Sequence, residues 1–293
     1  MSFPAPPMPT FPEGQAATTT RNLRYEDLTQ DGRIVPASLQ ASLPELWTAV
    51  LVRHPGQRAA VAAGIVPVLT RMTLHSFDQP IRIDRPLESV SGFQLSHDRD
   101  NGEVSRLFLN VWCEVRGTAG RIGPRQTDRD LVPAGMMFAE HTFTKLFAPP
   151  DQRRVTKLGF EGFPEVPETH YTAPSTTSPQ ELPEGARWLD EVAADPVDMW
   201  FTLDQTDSNQ HVNSLVYVRM FGDAVQRRLA AANHPLKIRT KAVEITYRKP
   251  SFVGERARAH VRMFELQDQL GAAGFIAGDD GKPRSYIRVL LGP

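Results

Sequence analysis

The residues best suited to chemistry lie in one short stretch, Asp207-Ser-Asn209-Gln-His211-Val-Asn213, with Ser214 and Tyr217 just beyond it. A carboxylate can attack an electrophilic carbon or activate a water. An amide side chain can orient either, and an imidazole can hydrogen-bond a substrate or carry a proton. The i, i+2, i+4 spacing gathers three polar groups at the start of the helix that follows. Unpaired backbone N–H groups near Asn213 and Ser214 could there stabilise a developing oxyanion. Asp-x-Asn alone indicates only an Asx turn and an N-cap. The whole string, with Tyr217, a helix and a later strand, points to an active site.

The elements around this string can be read from periodicity. Asp198–Asp207 fits a strand, and Ser214–Ala232 places Leu215, Val218, Phe221, Val225 and Leu229 at helical spacing. Strand-like runs follow at Ile238–Arg248 and at Glu255–Phe264, where Arg256, Arg258, His260 and Arg262 alternate with Ala257, Ala259, Val261 and Met263. A hairpin of Ala272–Ala277 and Ser285–Leu291 turns at Asp280-Gly281. One long helix therefore needs cover from the sheet itself.

The N-terminal half repeats the order. Asn22–Leu28 reads as a strand, TQDGR as a loop and Pro36–Arg53 as a helical run that begins or bends at Pro44. Strands are expected at Val66–Phe77, Leu87–His97, Arg106–Val115 and Met136–Phe147. Phe77-x-x-Pro80 and Tyr247-x-x-Pro250 close the strand after the helix in each half. Together these features suggest two copies of one module. The first copy's loop, Thr29–Arg33, has no His-Val-Asn and reads as catalytically blank.

The string Asp207-x-Asn209-x-His211-Val-Asn213 followed by Tyr217, at a strand-to-helix junction, resembles the hot-dog-fold thioesterases. The pattern is most similar to the acyl-ACP thioesterases, double hot-dog chains with the motif in the second module. Tyr247-x-x-Pro250 and Gly254-Glu255 extend the resemblance, which covers about residues 197–265. It implies an α+β chain of two fused hot-dog modules, each a long helix wrapped by a curved antiparallel sheet. It implies hydrolysis of an acyl thioester carried on acyl carrier protein or CoA, with Asp207, Asn209 and His211 as catalytic residues. Asn213, Ser214, Tyr217, Arg256 and Arg258 are the candidate substrate-binding residues. The first module would shape the acyl cavity. The plant enzymes carry a Glu-Cys pair where this chain has Pro250 and Ser251, and a second asparagine where it has Ser214. Glu244, on the same strand, is a candidate substitute for that glutamate. A dehydratase or hydratase acting on acyl thioesters is one alternative, and a non-catalytic acyl-thioester binding protein is another.

Composition narrows the rest. The 293 residues are 40% hydrophobic and 23% charged, which excludes general disorder. A net charge of −1 gives no reason to expect a nucleic-acid partner. A single cysteine, Cys113, excludes an intrachain disulfide framework and cysteine-rich metal sites, and its strand pattern places it in the core. No metal-ligand pairing occurs among the eight histidines, and no metal or redox cofactor is expected. The longest apolar run, Ala59–Leu69, is too short to span a bilayer, and the start of the chain lacks a secretory pattern; a cytoplasmic protein is expected, with a homodimer open.

Proline, at 25 residues, is the unusual count. Five lie in the first 12 residues, a disordered or strapping arm over 1–20; seven lie from Pro149 to Pro183, a linker over 149–186. Modules are expected over 21–148 and 187–293. Charge is also uneven. Arg219–Arg262 holds 11 basic residues against Asp223, Glu244 and Glu255, while Glu161–Asp198 holds nine acids against Arg187 alone. The two stretches either attract each other or leave a basic rim for an anionic acyl carrier.

Overall fold

The computed structural model describes residues 5–122 and 130–292. Twelve strands form one sheet: β1 (Ala16–Arg21), β2 (Val66–Ser76), β3 (Leu87–Asp100), β4 (Glu103–Thr118), β5 (Leu131–Thr144), β6 (Ala186–Trp188), β7 (Ala193–Ala194), β8 (Met199–Trp200), β9 (Arg239–Tyr247), β10 (Arg256–Leu266), β11 (Gln269–Gly278) and β12 (Pro283–Gly292). Its order is β1-β3-β4-β5-β2-β9-β12-β11-β10-β6, with β7 and β8 also on β10, and every pairing is antiparallel. Each half contributes a run of consecutive strands, and the runs meet where β2 pairs with β9.

That seam has a local two-fold character. Thr73 pairs with Glu244 and Leu74 with Val243. If Phe77 and Tyr247 are equivalent, so are Thr73 and Val243, and Leu74 and Glu244. The two pairs are then exchanged by one axis through the seam.

The helices lie on one face: α1 (Ser42–Ala49) and α2 (Pro55–Ala62) in the first half, α3 (Ser214–Ala231) in the second. Period-two alternation sends Val243, Ile245, Ala257, Ala259, Val261, Ile287 and Val289 toward α3, where they join Phe221, Val225 and Leu229 in the main core. Gly274 makes close packing possible, since a Cβ there would lie 1.9 Å from the His260 carbonyl oxygen and 3.1 Å from the Phe221 ring. Leu39, Leu43 and Leu46 fill the matching place in the first half, and Cys113 is buried among them, its thiol pushed up to about 12 by burial.

Three expectations change. The run 36–53 is not one helix: a 3-10 turn at Pro36–Ala41 precedes α1, another at Leu51–Arg53 follows it, and α2 starts at Pro55. Prolines at 36, 44 and 55 lack the N–H an uninterrupted helix needs, and each begins or lies within a first turn instead. The strands expected at 22–28 and 198–207 are interrupted by 3-10 turns, Tyr25–Asp27 and Leu203–Gln205, and only Met199–Trp200 of the second is strand. In each, a side chain takes a backbone N–H three residues back, Asp27 from Arg24 at 2.8 Å and Gln205 from Thr202 at 2.9 Å, which curls the chain.

The third change concerns the prolines. Residues 174–181 are tied down across the face of the sheet opposite the helices, while Val155, Leu158 and Phe163 of the same stretch join the main core and Phe163 stacks on His54. Arg71 donates to the carbonyls of Pro174 and Ser175 at 3.1 and 2.8 Å, Thr246 to that of Thr176 at 2.6 Å, and Arg288 to that of Glu181 at 2.9 Å. The amino-terminal arm packs on this outer face too: Trp112 Nε1 donates to the Pro6 carbonyl at 3.0 Å, and the Phe11 ring lies over Gly92, tilted against Trp112. Residues 1–4 of the arm lie outside the described residues.

Beneath the strap runs a buried chain of alternating charge. Glu140 lies opposite Arg71, and Glu244 opposite Arg288, as cross-strand pairs. Arg71 then reaches across the seam to hydrogen-bond Glu244. All four side chains are buried, so each charge depends on its neighbours for compensation. The acidic stretch meanwhile pairs with the basic half: Asp195 holds Arg227, Asp190 holds Arg228, Asp198 holds Arg258 and Glu191 holds Arg262. Among the described residues no helix is long and apolar enough to cross a membrane.

Candidate active site

The loop carrying the candidate residues is built on a compact backbone frame. Thr206 and Val212 form an antiparallel bridge, the Asp207 N–H donates to the His211 carbonyl at 2.9 Å, and the Gln210 N–H returns to the Asp207 carbonyl at 2.9 Å. Gln210 has φ of 63°, the left-handed conformation the turn requires. The Asn213 N–H donates to the Gln205 carbonyl at 2.8 Å, which ties the loop to the preceding 3-10 turn.

The first half contains the same frame. Leu28 bridges Ile34, the Thr29 N–H donates to the Arg33 carbonyl at 2.8 Å, and the Gly32 N–H donates to the Thr29 carbonyl at 2.9 Å. Gly32 has φ of 83°, and the Val35 N–H donates to the Asp27 carbonyl at 2.8 Å. Hydrogen bond by hydrogen bond, Thr29 corresponds to Asp207, Asp31 to Asn209, Arg33 to His211 and Val35 to Asn213. Arg33 there pairs with Asp31 at 2.8 Å and donates to the Asp78 carbonyl.

Asp207 is half-buried, and its Oδ1 accepts the Asn209 N–H at 2.8 Å, an Asx turn that fixes the carboxylate's orientation. Among the described residues, no cation pairs with it within 4.0 Å. Asn209 is exposed. His211 is half-buried and sets its ring edge-on to Phe252, with centroids 5.3 Å apart. Asn213 caps α3, accepting the Leu215 N–H at 2.9 Å. Asp207, Asn209, His211, Asn213 and Ser214 thus share one loop at one helix start.

The remaining candidates stand apart from that group. Tyr217 is buried, which pushes its phenol up, and its oxygen accepts the Ser251 N–H at 3.0 Å. The Ser251 carbonyl in turn accepts the Val212 N–H at 2.8 Å, so Tyr217 and Ser251 brace the loop from behind. Arg256 and Arg258 lie on the outer face of β10. Arg256 pairs with Asp279 at 3.1 Å and rests over the Trp200 ring, and Arg258 pairs with Asp198 at 2.5 Å. Glu244 is on the wrong side of the sheet to replace the missing glutamate. It alternates with Val243 and Ile245, which face α3, so its carboxylate points away from the helix, into Arg71 and Arg288.

One contact escapes any single-module reading. Gln40, from the 3-10 turn of the first half, donates from Nε2 to Ser214 Oγ at the first position of α3. Local pattern carries no signal for it, because the contact depends on how the two halves meet. Two cavities, of about 290 and 760 Å³, lie on the outer face. One is under the amino-terminal arm beside Thr73 and His75, the other under the strap beside Ser178, Glu244 and Arg288. Neither is lined by the loop.

No protein-family model matches the sequence, and no curated protein does. Solved structures do resemble it in shape. An acyl-ACP thioesterase from Bacteroides thetaiotaomicron superposes with a TM-score of 0.61 at 13% identity, over 96% of this chain and 99% of that one. The 12:0-ACP thioesterase from Umbellularia californica gives 0.60 at 12% identity, over 97% of this chain and all of the other. The architecture is therefore α+β and of the hot-dog type. More closely, it is the double hot-dog arrangement, with both halves in one chain and one sheet.

Proposed function

We propose that this chain is an acyl thioesterase, hydrolysing an acyl group from acyl carrier protein or CoA to the free acid. The observation that carries this reading is the duplicated loop: one backbone frame occurs twice, and only the second copy holds an imidazole, an amide at a capped helix start and a carboxylate with no paired cation among the described residues. The likeness of fold to thioesterases supports it.

In this mechanism the Asp207 carboxylate attacks the thioester carbon, or removes a proton from a water that does so. The carbonyl π electrons move onto oxygen. The Asn213, Leu215 and Val216 N–H groups already have acceptors, so the positive dipole end of α3 is what stabilises that oxyanion. Collapse re-forms the carbonyl and breaks the C–S bond; on the water route this gives the free acid at once, and on the direct route it leaves a mixed anhydride on Asp207 that a water then hydrolyses to the free acid, restoring the carboxylate. In this reading His211 gives the departing thiolate a proton and recovers one from the water consumed in the hydrolysis, and Asn209 orients the carboxylate or the water. Arg256 and Arg258, each held by one carboxylate, keep further N–H donors for the phosphates of the carrier.

Thiol release measured over panels of acyl-CoA and acyl-ACP, for wild type and Asp207→Ala, tests the reading. Release by wild type and its loss in the variant are expected. An undiminished rate in the variant, or an enoyl thioester as product, would overturn it.

A further inference from the structure

We infer that Gln40, from the module without catalytic residues, is a positioning residue for the reaction in the other module, acting through the Ser214 hydroxyl; this rests on the thioesterase reading. The Ser214 hydroxyl accepts one N–H from Gln40 and has one proton of its own to give. It sits at the first position of α3, directly after the cap Asn213, and its backbone carbonyl accepts from Tyr247 OH at 3.4 Å. The Asn213 Oδ1 is committed to the Leu215 N–H, which leaves its amide N–H groups as donors. Ser214 adds a hydroxyl at the same helix start that can turn its proton toward a thioester carbonyl oxygen. A hydroxyl that accepts a hydrogen bond is a better donor, because the two bonds polarise each other. Gln40 thus fixes the rotor and strengthens the donor. No proton passes through the amide: as the nucleophile's bond to carbon forms, the carbonyl pair moves to oxygen, Ser214 donates to it, and C–S cleavage reverses the shift.

The symmetry of the chain isolates this contact. Extending the loop correspondence by one step matches Pro36 to Ser214, and Gln40 to Val218. The two-fold counterpart of the Gln40–Ser214 contact would pair Val218 with Pro36, and neither side chain can hydrogen-bond. Polarity across the module interface is kept at the loop that holds Asp207 and is absent from the blank one. A contact needed only to hold the modules together has no reason to follow that asymmetry.

The test is a double-mutant cycle on thiol release with an acyl-CoA substrate, with thermal unfolding recorded in parallel. Ser214→Ala is expected to lower kcat about 10²-fold, as for loss of one oxyanion donor. Gln40→Met, and Gln40→Glu as a same-length variant that loses the donor, are each expected to lower kcat about three- to tenfold with KM unchanged. In the Ser214→Ala background both should have no further effect. An active wild type whose Gln40 variants keep its kcat, or lose as much in the Ser214→Ala background as in wild type, would overturn the role of Gln40 alone. A wild type that releases no thiol would overturn the thioesterase reading and this role with it.

Discussion

Thr29 and Asp207 occupy the same place in two copies of one loop: each donates its N–H to the carbonyl four residues on and accepts the N–H three residues on. A threonine therefore already supports this backbone. Asp207→Thr should fold with an unchanged melting temperature while losing thiol release by about 10²–10⁴-fold, the range for removal of a general base. A variant that keeps its rate would show that the carboxylate is dispensable.

Glu244 is the shared partner of Arg71 and Arg288, and all three are buried. Glu244→Ala removes the carboxylate that both guanidinium groups share under the strap, with Glu140 still beside Arg71. The expected cost is about 3–5 kcal/mol in urea unfolding, as for a broken buried ion pair. A loss below about 1 kcal/mol, the scale of an exposed pair, would mean that water already reaches the network.

His141 is buried between β4 and Trp47, with Nδ1 3.2 Å from the Leu109 carbonyl. Burial holds its imidazole down to about 4, against 6.5 when exposed. Above pH 6.5 it is neutral in both states and its contribution is complete. As pH falls from 6.5 to 4 the unfolded chain takes up the proton first, and stability is lost through that window. His141→Gln should flatten the stability–pH slope there by one proton. An identical slope in the variant would show that His141 titrates normally in the fold.

Gly92 lies under the Phe11 ring, and a Cβ there would come within 2.5 Å of it. Gly92→Ala should lift the amino-terminal arm, free the Trp112 indole from the Pro6 carbonyl and shift its emission to the red, at a cost of about 1–3 kcal/mol. An unshifted spectrum, with Trp112→Phe as the reference, would show that the arm has another way to seat.

What could be read from the sequence was what neighbours in the chain decide. Arg256, Arg258 and Arg262 alternate with Ala257, Ala259 and Val261, and that period of two survives as β10. The string from Asp207 to Asn213 was legible because an Asx turn and an N-cap are made within a few residues. The 3-10 turns at 25–27 and 203–205 were missed because one side chain in each, Asp27 or Gln205, overrides strand propensity. Glu244 and Gln40 were illegible for a different reason. Their roles are set by the pairing of β2 with β9, a relation between residues more than 160 positions apart. The prolines of 149–186 announced an extended chain, but not the arginines waiting to bind its carbonyls.

The joining of β2 to β9 in one polypeptide also bears on how such a site can change over generations. In a dimer of identical subunits, one codon governs both copies of every position, so an alteration that helps one pocket is imposed on the other. Here the counterparts Thr29 and Asp207, or Val218 and Gln40, answer to separate codons. One half can be selected for turnover and the other for support, and neither has to compromise for both tasks.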